Sequence, residues 1–347
     1  MSESVGQLAG PPVVIGHRGV PGLRLEHTRS SYELAIAQGA DFIEPDVVCT
    51  RDGVLVVRHE NEIGHTTDVA ERPEFADRRT TRSIDGVWLS GWFTEDFTLE
   101  EIKTLRVRER LPQLRPQNLP LAGTEQVLTF DEVLAIAADA NAREPGRGVG
   151  VYVETKHPSY FADLGLDLDD RLLASVEAAG LNAADAAVPV VVQSKETANL
   201  RALRPRTSLP LVQLTDRTGA PWDLVAAGDR RTYADLTTPS ALADVATYAD
   251  GVGPNKSQVI GRSSDHRLTG ETGLVADAHA AGLFVHVWTM RDENNFLPLD
   301  FRTGDDVAAH GDAAGELHAF LDAGVDGVFA DYPETAVAAR ATWLAGR

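Results

Sequence analysis

The chain of 347 residues is 43% hydrophobic and 24% charged, the composition of a globular protein with enough apolar material for a large core. Its 32 Lys and Arg against 52 Asp and Glu leave a formal charge of −20 with no dense basic block, which argues against nucleic acid as a partner. A single cysteine, Cys49, excludes an internal disulfide, and no run of 18 apolar residues offers a transmembrane segment.

Met1 to Pro12 has neither a basic n-region nor an apolar stretch of signal-peptide length, so the expected location is cytoplasmic. From there, apolar runs of a few residues alternate with helical patterns, the signature of βα units and a parallel sheet. Val13 to Gly16 is the first run and Ser30 to Gln38 the first helix. Asp41 to Ile43 is the second run, with Val54 to Val57 as an extension of that unit and Cys49 as a small apolar filler on its strand. Asn61 to Glu125 breaks the rhythm: it is polar, holds Pro73, Pro112, Pro116 and Pro120, and shows helical periodicity only near Leu99 to Leu105. Too long for an ordinary βα loop, it reads as a small insertion after the second strand, over residues 61–125, capping the active-site mouth. A helix over Thr129 to Ala142, with Phe130, Val133, Leu134 and Ala137 on one stripe, precedes the third run, Val149 to Val153. After a helix at Asp170 to Ala179 come runs at Val188–Val192, Leu209–Val212, Ala249–Val252 and Leu283–Trp288. A shorter excursion at Arg291 to Asp312, a run at Gly327–Ala330 and a last helix at Pro333 to Leu344 complete the chain. Eight strands is the number that closes a barrel, so the expected fold class is α/β, a (β/α)8 TIM barrel forming one domain over residues 1–347.

The polar residues that end these runs carry the chemistry. His17-Arg18-Gly19, Glu44-Pro45-Asp46, Arg58-His59-Glu60 and Glu154-Thr155-Lys156 each follow an apolar run, and the carboxyl ends of parallel barrel strands open onto one face. Glu44 and Asp46, two apart on a strand, point to the same side and repel unless a cation sits between them. Glu154 is the natural third ligand, and all-oxygen donors suit a hard ion, Ca²⁺ or Mg²⁺. His17 and His59 titrate near neutrality and are placed to give and take a proton across a phosphodiester, one as acid and one as base. His27, His65 and His157 fall in loops, and His266, His279, His286, His310 and His318 read as structural. An acidic chain repels an anionic substrate unless local cations reverse the field; Arg18 and Lys156 supply that charge. Gly19 and Gly22 allow close backbone approach, and Trp288 either walls the cleft or packs on a neighbouring loop.

With IGHRG at Ile15–Gly19, LEHT at Leu25–Thr28, IEPDV at Ile43–Val47, RDGVLVVRHE at Arg51–Glu60 and YVETKHP at Tyr152–Pro158, the chain resembles the glycerophosphodiester phosphodiesterase family. VVQS at Val191–Ser194, ADGVGP at Ala249–Pro254, VHVWT at Val285–Thr289 and AGVDGVFADYP at Ala323–Pro333 extend the likeness over nearly the whole length. The long insertion and TTDVA at Thr66–Ala70 look most like the larger, bacterial branch. The resemblance implies a TIM barrel, one divalent cation, and hydrolysis of a small-molecule glycerophosphodiester to glycerol 3-phosphate and an alcohol. Carried over by motif, it makes Glu44, Asp46 and Glu154 the metal ligands and His17 and His59 the acid-base pair. Arg18 and Lys156 become phosphate ligands, Glu26 a support for the site or for the glycerol, and the glycerol hydroxyl attacks phosphorus to give a cyclic phosphate that water opens. Two departures stand near the site: Glu60 where many relatives have Asp, and His27 where Asn is common.

Three other readings compete. A lysophospholipase D would use the same site with an apolar groove, for which Leu89, Trp92, Phe93 and Phe97 are candidates if they do not instead pack the insertion onto the barrel. A barrel that only binds a metal or a diester has no need of a histidine pair. A metal-dependent amidohydrolase is disfavoured because no His-x-His follows the first strand. Nothing in the sequence specifies an oligomer.

Overall fold

The computed structural model describes residues 10–183 and 186–347, so most of the Met1–Pro12 stretch lies outside the described residues. Its strands are β1 (Val13–His17), β2 (Phe42–Glu44), β3 (Asp46–Cys49), β4 (Leu55–Val57), β5 (Thr80–Ile84), β6 (Val87–Gly91) and β7 (Gly150–Thr155). They continue with β8 (Val190–Ser194), β9 (Leu211–Thr215), β10 (Gly251–Pro254), β11 (Ile260–Arg262), β12 (Leu268–Glu271), β13 (Phe284–Met290) and β14 (Gly327–Ala330). Parallel pairing runs β2-β1-β14-β13-β10-β9-β8-β7, and β7 pairs back onto β2 and β3, which closes an eight-stranded barrel. Pro45, which has no N–H to give a ladder, separates β2 from β3 within one continuous barrel position, while its carbonyl still accepts from Glu154 N–H at 2.9 Å.

Side-chain alternation divides each strand between two cores. Val13, Ile15, Phe42, Tyr152, Val191, Val212, Phe284 and Phe329 point inward and fill the barrel, with Tyr152 edge-on to Phe42 at 5.8 Å and to Phe329 at 5.1 Å. The intervening residues, among them Val14, Ile43, Val151, Val153, Val190 and Val192, face outward against the helices. Burying each such apolar side chain contributes roughly 1.5–3 kcal/mol. Helix Phe130–Arg143 buries Phe130, Val133, Leu134, Ile136 and Ala137, and its start is fixed by a capping box between Thr129 and Glu132. Cys49 is buried and free at the end of β3, as a filler would be.

One element runs against expectation. The Val54–Val57 run, read as extending the second unit toward the same face, pairs antiparallel to β3 with Val47 opposite Val57 and Cys49 opposite Leu55. The chain therefore climbs above the barrel along β3 and returns along β4. That return brings His59 back to the level of Asp46, whose carbonyl accepts from Arg58 N–H at 3.0 Å.

Residues 61–125 hold more structure than their prolines suggested. β5 and β6 form a hairpin whose turn, Asp85-Gly86, has φ of 49° and 78°, the pair of positive values a type I′ turn requires. Helix Leu99–Thr104 is capped by Thr98 and Glu101. Phe93 and Phe97 are fully buried, Phe97 lying edge-on to Phe75 at 5.1 Å, and Trp92 Nε1 donates to the Phe75 carbonyl at 2.7 Å. These aromatics pack the segment together and line no part of the catalytic cleft described below. The hairpin tip is tied to the barrel by His157 Nδ1 against Asp85 Oδ2 at 2.6 Å.

Candidate active site

The alternation that fills the barrel also builds the site. Two residues beyond Ile15, Phe42, Tyr152, Val191 and Phe329 on their respective strands come His17, Glu44, Glu154, Gln193 and Asp331, so the uppermost inward layer is polar where those below are apolar. Register aligns them: His17 pairs with Glu44, Asp46 with Glu154, and Glu154 with Gln193.

Glu44, Asp46 and Glu154 are all buried, and each offers an oxygen within 4.8 Å of the others. Burial, followed by repulsion from Asp46 and Glu154, pushes the Glu44 carboxyl well above its usual range. Burial also acts against ionised Asp46, but Lys156, His27, His59 and Arg18 outweigh it and hold that group well below the normal range. Lys156 Nζ lies 2.6 Å from Glu154 Oε1 and 3.0 Å from Asp46 Oδ1. Asp46 Oδ1 is nonetheless buried without a well-directed hydrogen bond. Three clustered carboxylates, one with an unsatisfied oxygen, are a donor set that fits a hard divalent cation.

The other carboxylate oxygens are held in place. Arg18 N–H donates to Glu44 Oε2 at 2.8 Å, which its left-handed φ of 55° makes possible, and Gln193 Nε2 donates to Glu44 Oε1 at 3.2 Å. Gly19 follows with φ 90°, where a Cβ would collide with Ser31 Oγ at 2.4 Å. His27 is fully buried; Nε2 meets Asp46 Oδ2 at 2.9 Å and Nδ1 meets the Tyr32 hydroxyl at 2.8 Å. Burial lowers the His27 pKa, so the neutral ring donates from Nε2 and accepts from Tyr32, orienting Asp46. The sequence places His27 in a loop; its position beside Asp46 was signalled only by the departure from Asn.

The two expected histidines meet across one cleft of about 70 Å³, together with Arg18, Glu44, Glu154, Lys156 and Trp288. Each is backed by a carboxylate that arginines hold in turn. His17 Nδ1 lies 2.6 Å from Asp331 Oδ1, and Asp331 Oδ2 accepts from Arg115 at 2.5 Å and Arg291 at 2.8 Å. His59 Nδ1 contacts Glu60 Oε1, and Glu60 accepts from Arg110 Nη1 at 2.9 Å and Nη2 at 2.6 Å. Burial, with Arg18 adding to it, lowers the His17 pKa to about 4 against the raising effect of Asp331. Burial, then Arg18 and Lys156, take His59 well below 6.5. Both shifts favour the neutral ring near pH 7, and neither Nε2 has a hydrogen-bond partner among the described residues.

Arg18 is shared between Glu26 Oε2 at 3.1 Å and Asp46 Oδ2 at 3.3 Å. Glu26 stands behind Arg18, its oxygens also taken by Arg110 at 2.7–2.9 Å, and it is absent from the cleft lining. Trp288 lines the cleft while Nε1 donates to the Gly253 carbonyl at 2.8 Å and the Lys195 ammonium sits 4.8 Å from its ring. Lys195, Arg291 and Asp331 were not singled out from the sequence. Lys195 and Asp331 directly follow β8 and β14, so the strand-end rule that found Glu154 also reaches them. Arg115 comes from the proline-rich segment and bridges Asp331 to Glu293, with Nε 2.7 Å from Glu293 Oε1; no local pattern announces it.

The sequence model of the glycerophosphoryl diester phosphodiesterase family matches residues 17–335. The chain belongs to this family. A glycerophosphodiester phosphodiesterase of Arabidopsis thaliana is 35% identical over 92% of this chain and 84% of its own length. One from Haemophilus influenzae is 29% identical over 95% and 90%. Among solved structures, the fold is shared with an Oleispira antarctica phosphodiesterase in complex with the product sn-glycerol-3-phosphate. That structure has a TM-score of 0.58 at 21% identity, covering 95% of this chain and 96% of the other. The glycerophosphodiester phosphodiesterase from Agrobacterium tumefaciens gives 0.56 at 19%, covering 94% and 99%. Family membership makes the protein a hydrolase, and no helix among the described residues is long and apolar enough to cross a membrane.

Proposed function

We propose that the protein hydrolyses glycerophosphodiesters to glycerol 3-phosphate and an alcohol, with His17 and His59 as the acid-base pair and Glu44, Asp46 and Glu154 holding one Ca²⁺ or Mg²⁺. The observation that carries this reading is the pair of carboxylate-backed histidines facing one cleft beside three clustered carboxylates. When bound, the cation supplies Lewis-acid stabilisation of charge on a phosphoryl oxygen. Arg18 and Lys156 flank the same place and bind the remaining phosphate charge. One histidine, neutral, takes the proton of the attacking hydroxyl; the other, which becomes the imidazolium once the diester charge and its own carboxylate raise its proton affinity, gives its Nε2 proton to the departing alkoxide. The carboxylates Asp331 and Glu60 keep each ring in the tautomer that presents Nε2 to the substrate. The glycerol hydroxyl as nucleophile, with a cyclic phosphate opened by water, is compatible with either histidine starting the reaction.

Residues 61–125 act, in this reading, as an insertion into a single barrel domain: Arg110 and Arg115 reach from it to Glu60 and Asp331 and so set both histidines. The deciding experiment is a product assay on glycerophosphocholine and its lysophospholipid counterpart, after chelation and with each metal restored in turn, reading choline from both together with glycerol 3-phosphate from the first and lysophosphatidic acid from the second. Metal-restored release of glycerol 3-phosphate supports the reading. Turnover of the lysophospholipid alone makes the protein a lysophospholipase D, and turnover undiminished in excess chelator removes the metal site.

A further inference from the structure

A second cleft, of about 880 Å³, opens beside the catalytic one, and Trp288, Thr289 and Arg291 line both. Its outer walls come from the β11–β12 hairpin and from the excursion after β13. The two hold each other: Leu299 N–H donates to the His266 carbonyl at 2.9 Å and Leu268 N–H to Asp300 Oδ2 at 2.8 Å. Of these segments the chemistry derived above uses only Arg291, which holds Asp331, and Glu293, which holds Arg115.

The charge of this cleft is opposite to that of the chain. Arg217, Lys256, Arg262, Arg291 and Arg302 line it and Asp216 is the one acid among the lining residues, in a protein of formal charge −20. The counter-charges are few. Glu316 alone serves both Lys256, at 2.8 and 2.9 Å, and Arg262, at 2.9 Å. Asp331 takes Arg291 but is shared with Arg115, and Asp216 is engaged by Lys195 at 2.9 Å. Arg302 bonds a backbone carbonyl, Leu297 O, at 3.0 Å, and neither it nor Arg217 pairs with a carboxylate among the described residues. An excess of positive charge in a concave site concentrates anions.

We propose that this cleft is the subsite for the alcohol part of the diester, and that it selects alcohols carrying a further phosphate ester. The proposal rests on the reading above, in which the scissile phosphate lies between His17 and His59. Another cleft of about 880 Å³, lined by Glu60, Glu62 and Glu109 with Arg110 as its one arginine or lysine, shares no lining residue with the catalytic one and carries no excess of positive charge.

The test uses the full-length, metal-loaded enzyme and three diesters that differ in the charge of the alcohol: glycerophosphocholine (positive), glycerophosphoglycerol (neutral) and bis(glycerophospho)glycerol (negative). Wild type is expected to favour the negative over the neutral substrate in kcat/KM by roughly tenfold at low salt, with the preference shrinking as NaCl is raised. Arg302→Gln and Arg217→Gln, both at the rim, should each lower that ratio roughly two- to fivefold, the range for losing a solvent-screened ionic contact. Unchanged melting temperatures establish that the variants are folded. A ratio near one in wild type, or ratios that neither variant moves, overturns the subsite while leaving the diesterase reading intact. Failure to hydrolyse any of the three diesters overturns both.

Discussion

His17 Nδ1 and Asp331 Oδ1 are 2.6 Å apart although 314 positions separate them, and the contact joins the end of the first barrel strand to the residue that follows the last. Asp331 is ionised, since Arg291, Arg115 and His17 overcome a burial effect that alone would raise its pKa. It therefore accepts from Nδ1–H and leaves Nε2 as the reactive atom. Asp331→Asn keeps the shape but presents an amide that can donate to Nδ1 and turn the tautomer around. The expected result is a fall in kcat of about 10²–10⁴ with metal affinity near wild type, by analogy with the dependence of a histidine base on its orienting carboxylate. A variant with normal kcat would make Asp331 a purely structural ion-pair partner.

The same logic applies to the histidines as a pair. His17→Ala and His59→Ala should each lower kcat by about 10²–10⁴, the range for one general acid or base, while metal binding persists. If both act on one diester, the double variant should lose far less than the product of the single losses. Each single variant should also flatten one limb of a bell-shaped pH profile. Near-normal kcat in both would remove the acid-base mechanism.

How much of this was legible in the sequence follows from the physics of each element. Barrel strands announce themselves because both faces are buried, so runs such as Val188–Val192 are apolar throughout and their polar ends stand out; Glu44, Asp46, Glu154 and His17 are visible for that reason. His59 was found by the same rule, though its strand runs the other way, because a run's ending carries no sign of its direction. The β5–β6 hairpin was missed although Asp85-Gly86 is a strong type I′ signal, since both strands are mostly exposed, β5 is polar, and the apolar residues of β6, Val87, Trp88 and Leu89, are consecutive instead of alternating. Arg115 was beyond reach, since it acts through Asp331, 216 residues along the chain, and only the closed barrel brings them together; His27 left no trace beyond the departure from Asn, because a histidine in a loop carries no sign of the buried carboxylate it faces.

Metal binding can be separated from folding at Glu44. Its carboxyl is buried beside Asp46 and Glu154, and with no cation present that crowding is unfavourable. Glu44→Gln removes the repulsion and keeps the volume. The metal-free variant should therefore match or exceed the metal-free wild type in melting temperature, whereas Ca²⁺ or Mg²⁺ should stabilise the variant much less than wild type. Calorimetric titration and thermal melts with and without chelator read both effects; equal metal stabilisation of the two proteins would take Glu44 out of the ligand set.

The insertion's dependence on its own core is open to a direct measurement. Phe97 is fully buried, edge-on to Phe75, with the Arg78 guanidinium 4.9 Å from its ring. Phe97→Ala should cost about 3–5 kcal/mol in urea unfolding, as expected for emptying a well-packed aromatic site. If residues 61–125 position Arg110 and Arg115, kcat should fall in a variant that remains folded and metal-loaded. A stability loss with unchanged kcat would separate the segment's packing from its influence on the histidines.

The pH dependence of stability carries its own sign. His17 has a folded pKa of about 4 against 6.5 for the unfolded ring, so between those values the unfolded chain binds more protons. Stability from this group is complete above pH 6.5, declines as pH falls toward 4, and declines no further below. The full difference corresponds to roughly 3 kcal/mol at about 1.4 kcal/mol per unit. His17→Gln removes the titration, so in chelator its urea-unfolding free energy should fall less than that of wild type between pH 7 and 4, by about 1–3 kcal/mol. Parallel curves for the two proteins over that window would mean that His17 keeps an ordinary pKa in the fold, and the neutral-base role assigned to it near pH 7 would lose its electrostatic support.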